Sequence, residues 1–230
     1  MTQKEVLRKL FNLLASELKS FDFELSYKHQ GFIRRDKNAV FFYQLLIYNR
    51  TILKTGAKGF LIDPYIWIGV KEIEKYYKEI TLNKELKTDV NFVTIGNGIG
   101  DLLANPDGIY RSHNNTLNLH IFKELDIQIE AEQLLKYFRE VALPYCLNNA
   151  SVEMVDKLIN TSPHEYKVHT MNDNYRILKG IIAAKLNNNP KLNELIKIYD
   201  KQIVDYDMYN AVAEMPRLKA ILPTISLECK

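Results

Sequence analysis

The order in which two hydrophobic periods follow one another constrains the fold of this 230-residue chain more than any other feature. Apolar residues first recur at helical spacing, then alternate at the period of two that a half-buried strand requires, and then return to helical spacing. Strands in consecutive runs favour antiparallel pairing, because parallel strands need crossover helices between them. The sequence therefore predicts an α+β fold with a mainly antiparallel sheet of about five or six strands, an N-terminal helix and a C-terminal helical extension.

The first third of the chain carries the clearest local patterns. Thr2 and Glu5 have the spacing of a capping box, and the apolar stripe behind them predicts a helix at about residues 3–20. Residues 21–27 then alternate between aromatic or aliphatic and polar side chains, which indicates a strand. The run 40–48 is apolar on both faces, so we expect it in the centre of the sheet.

Two prolines punctuate the later elements. Asp63 and Pro64 are expected to mark a bulge or an edge of a strand, because proline cannot donate to a ladder. Pro144 is expected to end the helix that follows residue 126. The other predicted strands are 60–70, 91–95 and 116–122, and the other predicted helices are 71–82, 151–160, 173–187, 191–205 and 208–221.

The domain organisation follows from a weak break near residues 160–167, where a proline and small polar residues separate two helical patterns. We expect an α+β body at 1–162 and a helical extension at 163–230 that packs on that body. Two helices alone seldom bury enough apolar surface to offset chain entropy. The sequence therefore predicts one cooperative unit.

The N-terminus and the cysteines bear on location. The chain begins without an apolar leader segment and has no apolar run of membrane-spanning length. Cys146 and Cys229 are far apart and do not form a CxxC pair, so neither a disulfide framework nor a thiolate metal site is indicated. These features predict a cytoplasmic protein with no membrane partner.

Charge is uneven along the chain, although the formal net charge is only +3. Residues 1–60 hold 11 basic and 5 acidic side chains, and Lys28, Arg34, Arg35 and Lys37 form the densest basic cluster. A nucleic-acid interface usually makes a whole face or domain strongly basic. The pattern therefore favours a solvated surface over a nucleic-acid partner.

Several patterns suggest chemistry without specifying it. Gly96, Gly98 and Gly100 lack the spacing of a dinucleotide or Walker loop, so a flexible turn is the favoured interpretation. Asp101 and Asp107 are the nearest candidates for an acid and base pair, but capping of turns is the favoured role for them. His164 and His169 could share a metal ion, but ordinary surface positions are favoured for them. No catalytic, metal or cofactor residue is predicted, and a non-enzyme is favoured.

Aromatic residues provide the candidate binding surface. Tyr65 and Trp67 fall on one face of a predicted strand, and with Arg34 and Arg35 they form the predicted partner-binding residues. Aromatic side chains give large contact area at low entropic cost. Burial of the two aromatic residues beneath helices is the favoured alternative.

The first 160 residues resemble uncharacterised bacterial domains, those numbered 4304 among the domains of unknown function. The similarity rests on the order of an amphipathic first helix, the segment 31–34, an aromatic strand and the segment 66–70, followed by 126–138, 143–145 and 151–158. The resemblance carries no catalytic residues over to this chain.

The absence of a catalytic pattern leads to two hypotheses. The first is a non-catalytic protein-binding module, by analogy a bacterial immunity-type protein that neutralises a toxin by binding it. The alternative is a small-molecule-binding or enzymatic domain that uses the glycine-rich connection 96–108 as a mobile lid. No cofactor is expected for a protein-binding module.

Overall fold

The computed structural model describes residues 1–52, 56–83, 93–111, 117–170 and 172–226. Within these ranges the strands are β1 (Glu24–Ser26), β2 (Gly31–Arg35), β3 (Ala39–Thr51), β4 (Lys58–Val70), β5 (Ile95–Gly98) and β6 (Leu119–Ile121). The α-helices are α1 (Gln3–Lys19), α2 (Lys71–Ile80), α3 (Ile99–Ala104), α4 (Glu124–Tyr137), α5 (Leu143–Asn149), α6 (Val152–Asn160), α7 (Asp173–Leu186), α8 (Leu192–Asp205) and α9 (Tyr209–Ile221).

The strands form one antiparallel sheet in the order β1-β2-β3-β4-β5, and β6 pairs with β4 beside β5. The predicted α+β class, antiparallel sheet, N-terminal helix and C-terminal helices are confirmed. Strand β3 lies in the middle of this path, as expected from its apolar run. The strands predicted at 91–95 and 116–122 begin later, at Ile95 and Leu119, and residues 91, 92 and 116 lie outside the described residues.

Helix α1 begins as its sequence predicts. The Thr2 side chain accepts a hydrogen bond from the Glu5 amide, and the Glu5 carboxylate accepts one from the Thr2 amide. The apolar stripe of the helix is buried against the sheet, where the rings of Phe11 and Phe32 meet edge to face at 5.6 Å. The capping residues and the buried apolar stripe therefore both account for this helix.

Pro64 removes a hydrogen-bond donor from only one side of β4, and the pairing of β4 with β3 stays intact. It pairs with Leu45 of β3 in an unbroken register, so the expected bulge is not present. The Leu45 amide donates to Gln30 on the β2 side, which makes Leu45 and Pro64 a pair that exchanges no hydrogen bonds. The nitrogen of Pro64 therefore faces the gap between β5 and β6, where no donor is needed.

Pro144 does not end the helix that contains it, contrary to the prediction. A π-helical turn at Phe138–Ala142 joins α4 to α5, and the Leu143 amide bonds back to the Phe138 carbonyl. Pro144 then occupies the first turn of α5, where its missing N–H costs no hydrogen bond. The widened turn absorbs the steric conflict that proline normally creates within a helix.

The four helices predicted after residue 150 are confirmed as α6 to α9. Helix α7 is buried on nearly all sides, and Glu214 of α9 accepts hydrogen bonds from Tyr77 and Thr81. These contacts join the C-terminal helices to α2, while the prediction of one cooperative unit stays a prediction. Among the described helices, none combines the length and apolarity that crossing a bilayer requires.

The two faces of the sheet differ in what covers them. Phe41, Tyr43 and Ile66 face the core, where the Tyr43 hydroxyl donates to the Leu134 carbonyl of α4. On the opposite face, the register of β3 and β4 places Phe42 beside Trp67 and Gln44 beside Tyr65. We call this second side the pocket face, because it lines a cavity.

Candidate functional site

A cavity of about 390 Å³ lies over the pocket face of the sheet. Its floor includes Phe42, Gln44 and Trp67 from the two long strands, and its walls come from residues 93–96 and from the chain leading into α7. A concave, partly apolar site of this size is the usual form of a small-molecule site. The cavity is therefore the candidate functional site.

The floor of the cavity is held by a chain of side-chain contacts. The Trp67 ring stacks on Tyr65 at 5.4 Å, and its Nε1 donates to Oε1 of Gln44 at 3.0 Å. Gln44 in turn donates from Nε2 to the His29 carbonyl at 3.4 Å, and the His29 ring meets Phe42 edge to face. The indole of Trp67 is thus fixed in position.

The glycine-rich segment begins as strand β5 and continues as the short helix α3, which corrects the interpretation of a flexible turn. Gly96 lies in β5 with a φ of 145°, a conformation that favours glycine. A Cβ at this position would lie 2.1 Å from the Ile66 carbonyl oxygen. Glycine therefore permits β5 to approach β4 closely.

The edge of β5 that faces away from β4 positions the wall of the cavity. The Gly96 amide donates to the His169 carbonyl at 2.8 Å, and the Asn97 side chain donates to the Val168 carbonyl at 2.8 Å. The segment 167–170 is also bonded on its other side, where the Val168 amide donates to the Gly108 carbonyl. Residues 167–170 are therefore held from two sides, and Ile109 forms an isolated antiparallel bridge with Lys167.

His169 is the most perturbed titratable group of the cavity. Its side chain is 9% exposed, and its Nδ1 lies 3.0 Å from the Tyr145 hydroxyl. Burial, with a further contribution from Lys167, lowers the pKa of His169 to about 4, so the ring is neutral near pH 7. Burial also raises the pKa of Tyr145, which keeps the hydroxyl protonated.

A buried ion pair closes the inner end of the cavity. Lys179 is buried, with 2% of its surface exposed. Its ammonium group donates to Glu74 Oε1 and to the Val93 carbonyl, each at 2.7 Å. Thr94 donates its hydroxyl to the same carboxylate oxygen at 2.7 Å. The Lys179 ammonium also lies 4.4 Å from the centre of the Tyr77 ring. Its charge is therefore neutralised within the protein.

Two side chains in the wall of the cavity have polar atoms without a hydrogen-bond partner in the described part of the chain. The Thr170 hydroxyl is buried and unpaired, and the half-buried Asn172 side chain uses only its oxygen, to cap α7. Nε2 of His169 also makes no hydrogen bond, but it lies against Gly108, which does not line the cavity. Buried polar groups without partners are uncommon, so the Thr170 hydroxyl and the Asn172 amide N–H are available to a ligand.

The predicted partner-binding residues do not form one surface. Tyr65 is 9% exposed, and its hydroxyl lies beside the Asp63 carboxyl group, while Trp67 is half-buried in the cavity floor. Arg34 lies on the core side of the sheet edge, where its guanidinium bonds to both Asp36 oxygens at 2.8 Å. Arg35 is exposed on the opposite side, the side that carries Trp67.

The members of the predicted acid and base pair lie apart in the structure, and so do the members of the predicted histidine pair. Asp107 bonds to Arg111 on the surface, which lowers the pKa of Asp107 to about 2, whereas Asp101 lies near Asp63 and Tyr65. His164 is exposed, while His169 is buried against Tyr145. The described residues hold no group of three or more histidine, cysteine, aspartate or glutamate side chains arranged for a metal ion.

The fold and the cavity together define an α+β protein with a candidate ligand pocket. No family model, curated protein or solved structure matches the chain. The resemblance to the domains numbered 4304 therefore stays a prediction.

Proposed function

We propose that this protein binds a small organic molecule in the cavity over the pocket face. The observation that carries the proposal is the coincidence of aromatic walls with the unpaired atoms of Thr170 and Asn172. A ligand would pair these atoms and cover the rings of Phe42 and Trp67. Ligand sites in proteins combine an apolar lining with a few convergent polar groups in this way.

The rigidity of the cavity supports the same proposal. Its floor is fixed by the hydrogen bond from Trp67 to Gln44, and its wall by the bond from Gly96 to His169. A site held in its binding geometry before the ligand arrives loses less conformational entropy on binding. The preformed cavity thus favours binding of a compact ligand.

A thermal-shift screen of metabolites tests this function. A ligand present at about 100 times its dissociation constant should add about 2.7 kcal/mol to the free energy of unfolding. Thr170→Ile replaces the hydroxyl in the cavity wall with a larger, apolar ethyl group and should abolish the shift. The matched variant Thr161→Ile, at an exposed position outside the cavity, should retain it.

Two results would count against a cavity ligand. The first is a screen in which no metabolite stabilises the wild-type protein. The second is a stabilising compound that protects Thr170→Ile as well as wild type, since such a compound binds elsewhere.

Binding of another protein is a second candidate, including the immunity-type role, and a different surface favours it. The turn between α8 and α9 exposes Val204 (77%) and Tyr209 (81%), with Tyr206 and Val212 beside them in sequence. The Tyr206 ring also lies 6.4 Å from the ring of Tyr166. Exposed aromatic side chains that gather in one place are typical of protein interfaces.

Affinity capture from the native cell tests this second candidate. Wild-type protein should retain a stoichiometric partner that Tyr209→Ser loses, while Trp67→Phe in the cavity floor should keep the partner. Equal retention by Tyr209→Ser would exclude this turn as the interface.

A further inference from the structure

The shape and size of the cavity limit what it can hold. Phe42, Trp67 and Tyr175 contribute aromatic rings, and the volume of about 390 Å³ is near the lower end of the range of about 300–1,000 Å³ for ligand pockets. Flat ring systems gain contact area against aromatic side chains in offset or edge-to-face arrangements. A small planar ligand therefore matches the walls.

The charge of the lining limits the ligand further. In the described part of the chain, the ionisable side chains that line the cavity, apart from Tyr175, are His29, His169 and Lys179. Lys179 is neutralised by Glu74, and burial lowers the pKa of both histidines, which leaves them uncharged near neutral pH. A charged ligand would lose its hydration without gaining a counter-charge, which is unfavourable. The lining therefore favours a neutral ligand.

The unpaired polar atoms show that the ligand is not purely apolar. Asn172 offers an amide N–H donor, because its oxygen is already used as the cap of α7. The Thr170 hydroxyl can both donate and accept a hydrogen bond. A hydrocarbon ring would leave these atoms buried without partners. A ring with both donors and acceptors on its edge would satisfy them.

We propose that the ligand is a neutral, planar nitrogen heterocycle of the nucleobase class, with its polar edge against Thr170 and Asn172 and its ring against the aromatic floor. This proposal rests on the proposed function of the cavity. It assigns recognition to Thr170 and Asn172, and contact with the ring to Trp67 and Phe42. Sites that hydrogen-bond a ligand discriminate strongly against analogues that lack the matching groups.

Trp67 is the only tryptophan of the chain, so its fluorescence reports directly on the cavity. The full-length protein is titrated with adenine, hypoxanthine, cytosine and uracil, with excitation at the red edge of tryptophan absorption. Binding of indole and benzoate is measured by isothermal titration calorimetry, because indole fluoresces as tryptophan does. We expect at least one base to quench Trp67 saturably, and to bind at least about tenfold more tightly than indole or benzoate.

Two variants test the polar edge without removing the fold. Asn172→Ser keeps a good helix cap but removes the amide donor, and Thr170→Val removes the hydroxyl at nearly constant volume. Each should weaken base binding about tenfold. The matched surface variant Asn210→Ser should not change it. Thr170→Val without ligand should melt no lower than wild type, because the lost hydroxyl had no partner.

Each outcome decides the proposal. Tighter binding of indole or benzoate than of all four bases would overturn the heterocycle assignment while leaving a ligand cavity in place. Absence of saturable quenching by any base would also overturn it, and the broader metabolite screen would then decide the proposed function separately. Base binding that is unchanged in both Thr170→Val and Asn172→Ser would show that Thr170 and Asn172 are not the recognition edge.

Discussion

The Tyr145 hydroxyl lies 3.0 Å from Nδ1 of His169, and the two rings stack with 5.8 Å between their centres. This contact joins α5 to the wall of the cavity, 24 residues further along the chain. Because the tyrosine hydroxyl has no other partner in the described part of the chain, donation to Nδ1 is the favourable arrangement. Nε2 of His169 then carries the proton.

Protonation of His169 should make stability depend on pH. Its pKa is about 4 in the folded protein and 6.5 for an unperturbed histidine side chain, so the unfolded chain binds more protons between these values. The contribution of His169 to the free energy of unfolding is complete above pH 6.5 and is lost as pH falls toward 4, by up to about 3 kcal/mol. Urea unfolding of wild type and His169→Gln at several pH values measures it. A parallel pH dependence in the two proteins would contradict this role.

The buried Lys179 and Glu74 pair should be costly to break. Lys179→Met leaves a buried carboxylate without its counter-ion, and should lower the free energy of unfolding by about 3–5 kcal/mol. Replacing both residues, as Lys179→Met with Glu74→Gln, should cost less than the single change. Lys219→Met breaks a half-exposed pair with Asp200 and should cost about 1 kcal/mol or less. Equal losses in the two single lysine variants, measured in urea, would contradict the argument.

Gly96 should tolerate no side chain. Gly96→Ala combines a left-handed backbone with a Cβ placed 2.1 Å from a carbonyl oxygen, and should cost about 2–4 kcal/mol. Gly56→Ala is the matched control, because φ is also positive there but the Cβ meets nothing within 4 Å, and it should cost about 1 kcal/mol. Chemical denaturation compares the two variants. Similar losses would show that the close approach of β5 to β4 is unimportant.

Periodicity was enough to predict most of the fold. The bounds of α1 and of the helices after residue 150 follow from apolar stripes and capping residues, and β3 follows from its apolar run. Strand β5 was predicted only at its first residue, because Gly96 and Gly98 have no side chains to alternate. Pro144 misled the prediction for a physical reason, since its helix is preceded by a π-helical turn that no local pattern announces.

The site was much less predictable. Trp67 was a candidate, but the sequence could not show that the chain around His169 returns to the edge of β5 and makes the wall of a cavity. One signal was available for Lys179, a charged residue between Leu178 and Gly180 on a helix that is otherwise largely apolar. A lysine on a buried face requires a partner, and Glu74 lies 105 residues away.

Truncation after Ser162 tests the predicted cooperative unit. The fragment would lose α7 and with it Lys179, and it would lose Glu214, the acceptor for Tyr77 and Thr81. Glu74 would then be left without its cation, so the fragment should show no cooperative unfolding transition. Circular dichroism and calorimetry measure this. A stable fragment of residues 1–162 with a single sharp transition would show that the helical extension is dispensable.

The most direct test of the ligand cavity uses the indole N–H of Trp67, which gives a single resonance in a nitrogen–proton correlation spectrum because the chain has one tryptophan. Fractionated small molecules from the native cell are added to labelled protein, and that resonance is followed together with the backbone amide of exposed Tyr209. The account predicts at least one fraction that shifts the Trp67 resonance saturably and leaves Tyr209 unchanged. If no fraction moves the Trp67 resonance, the cavity is not a small-molecule site.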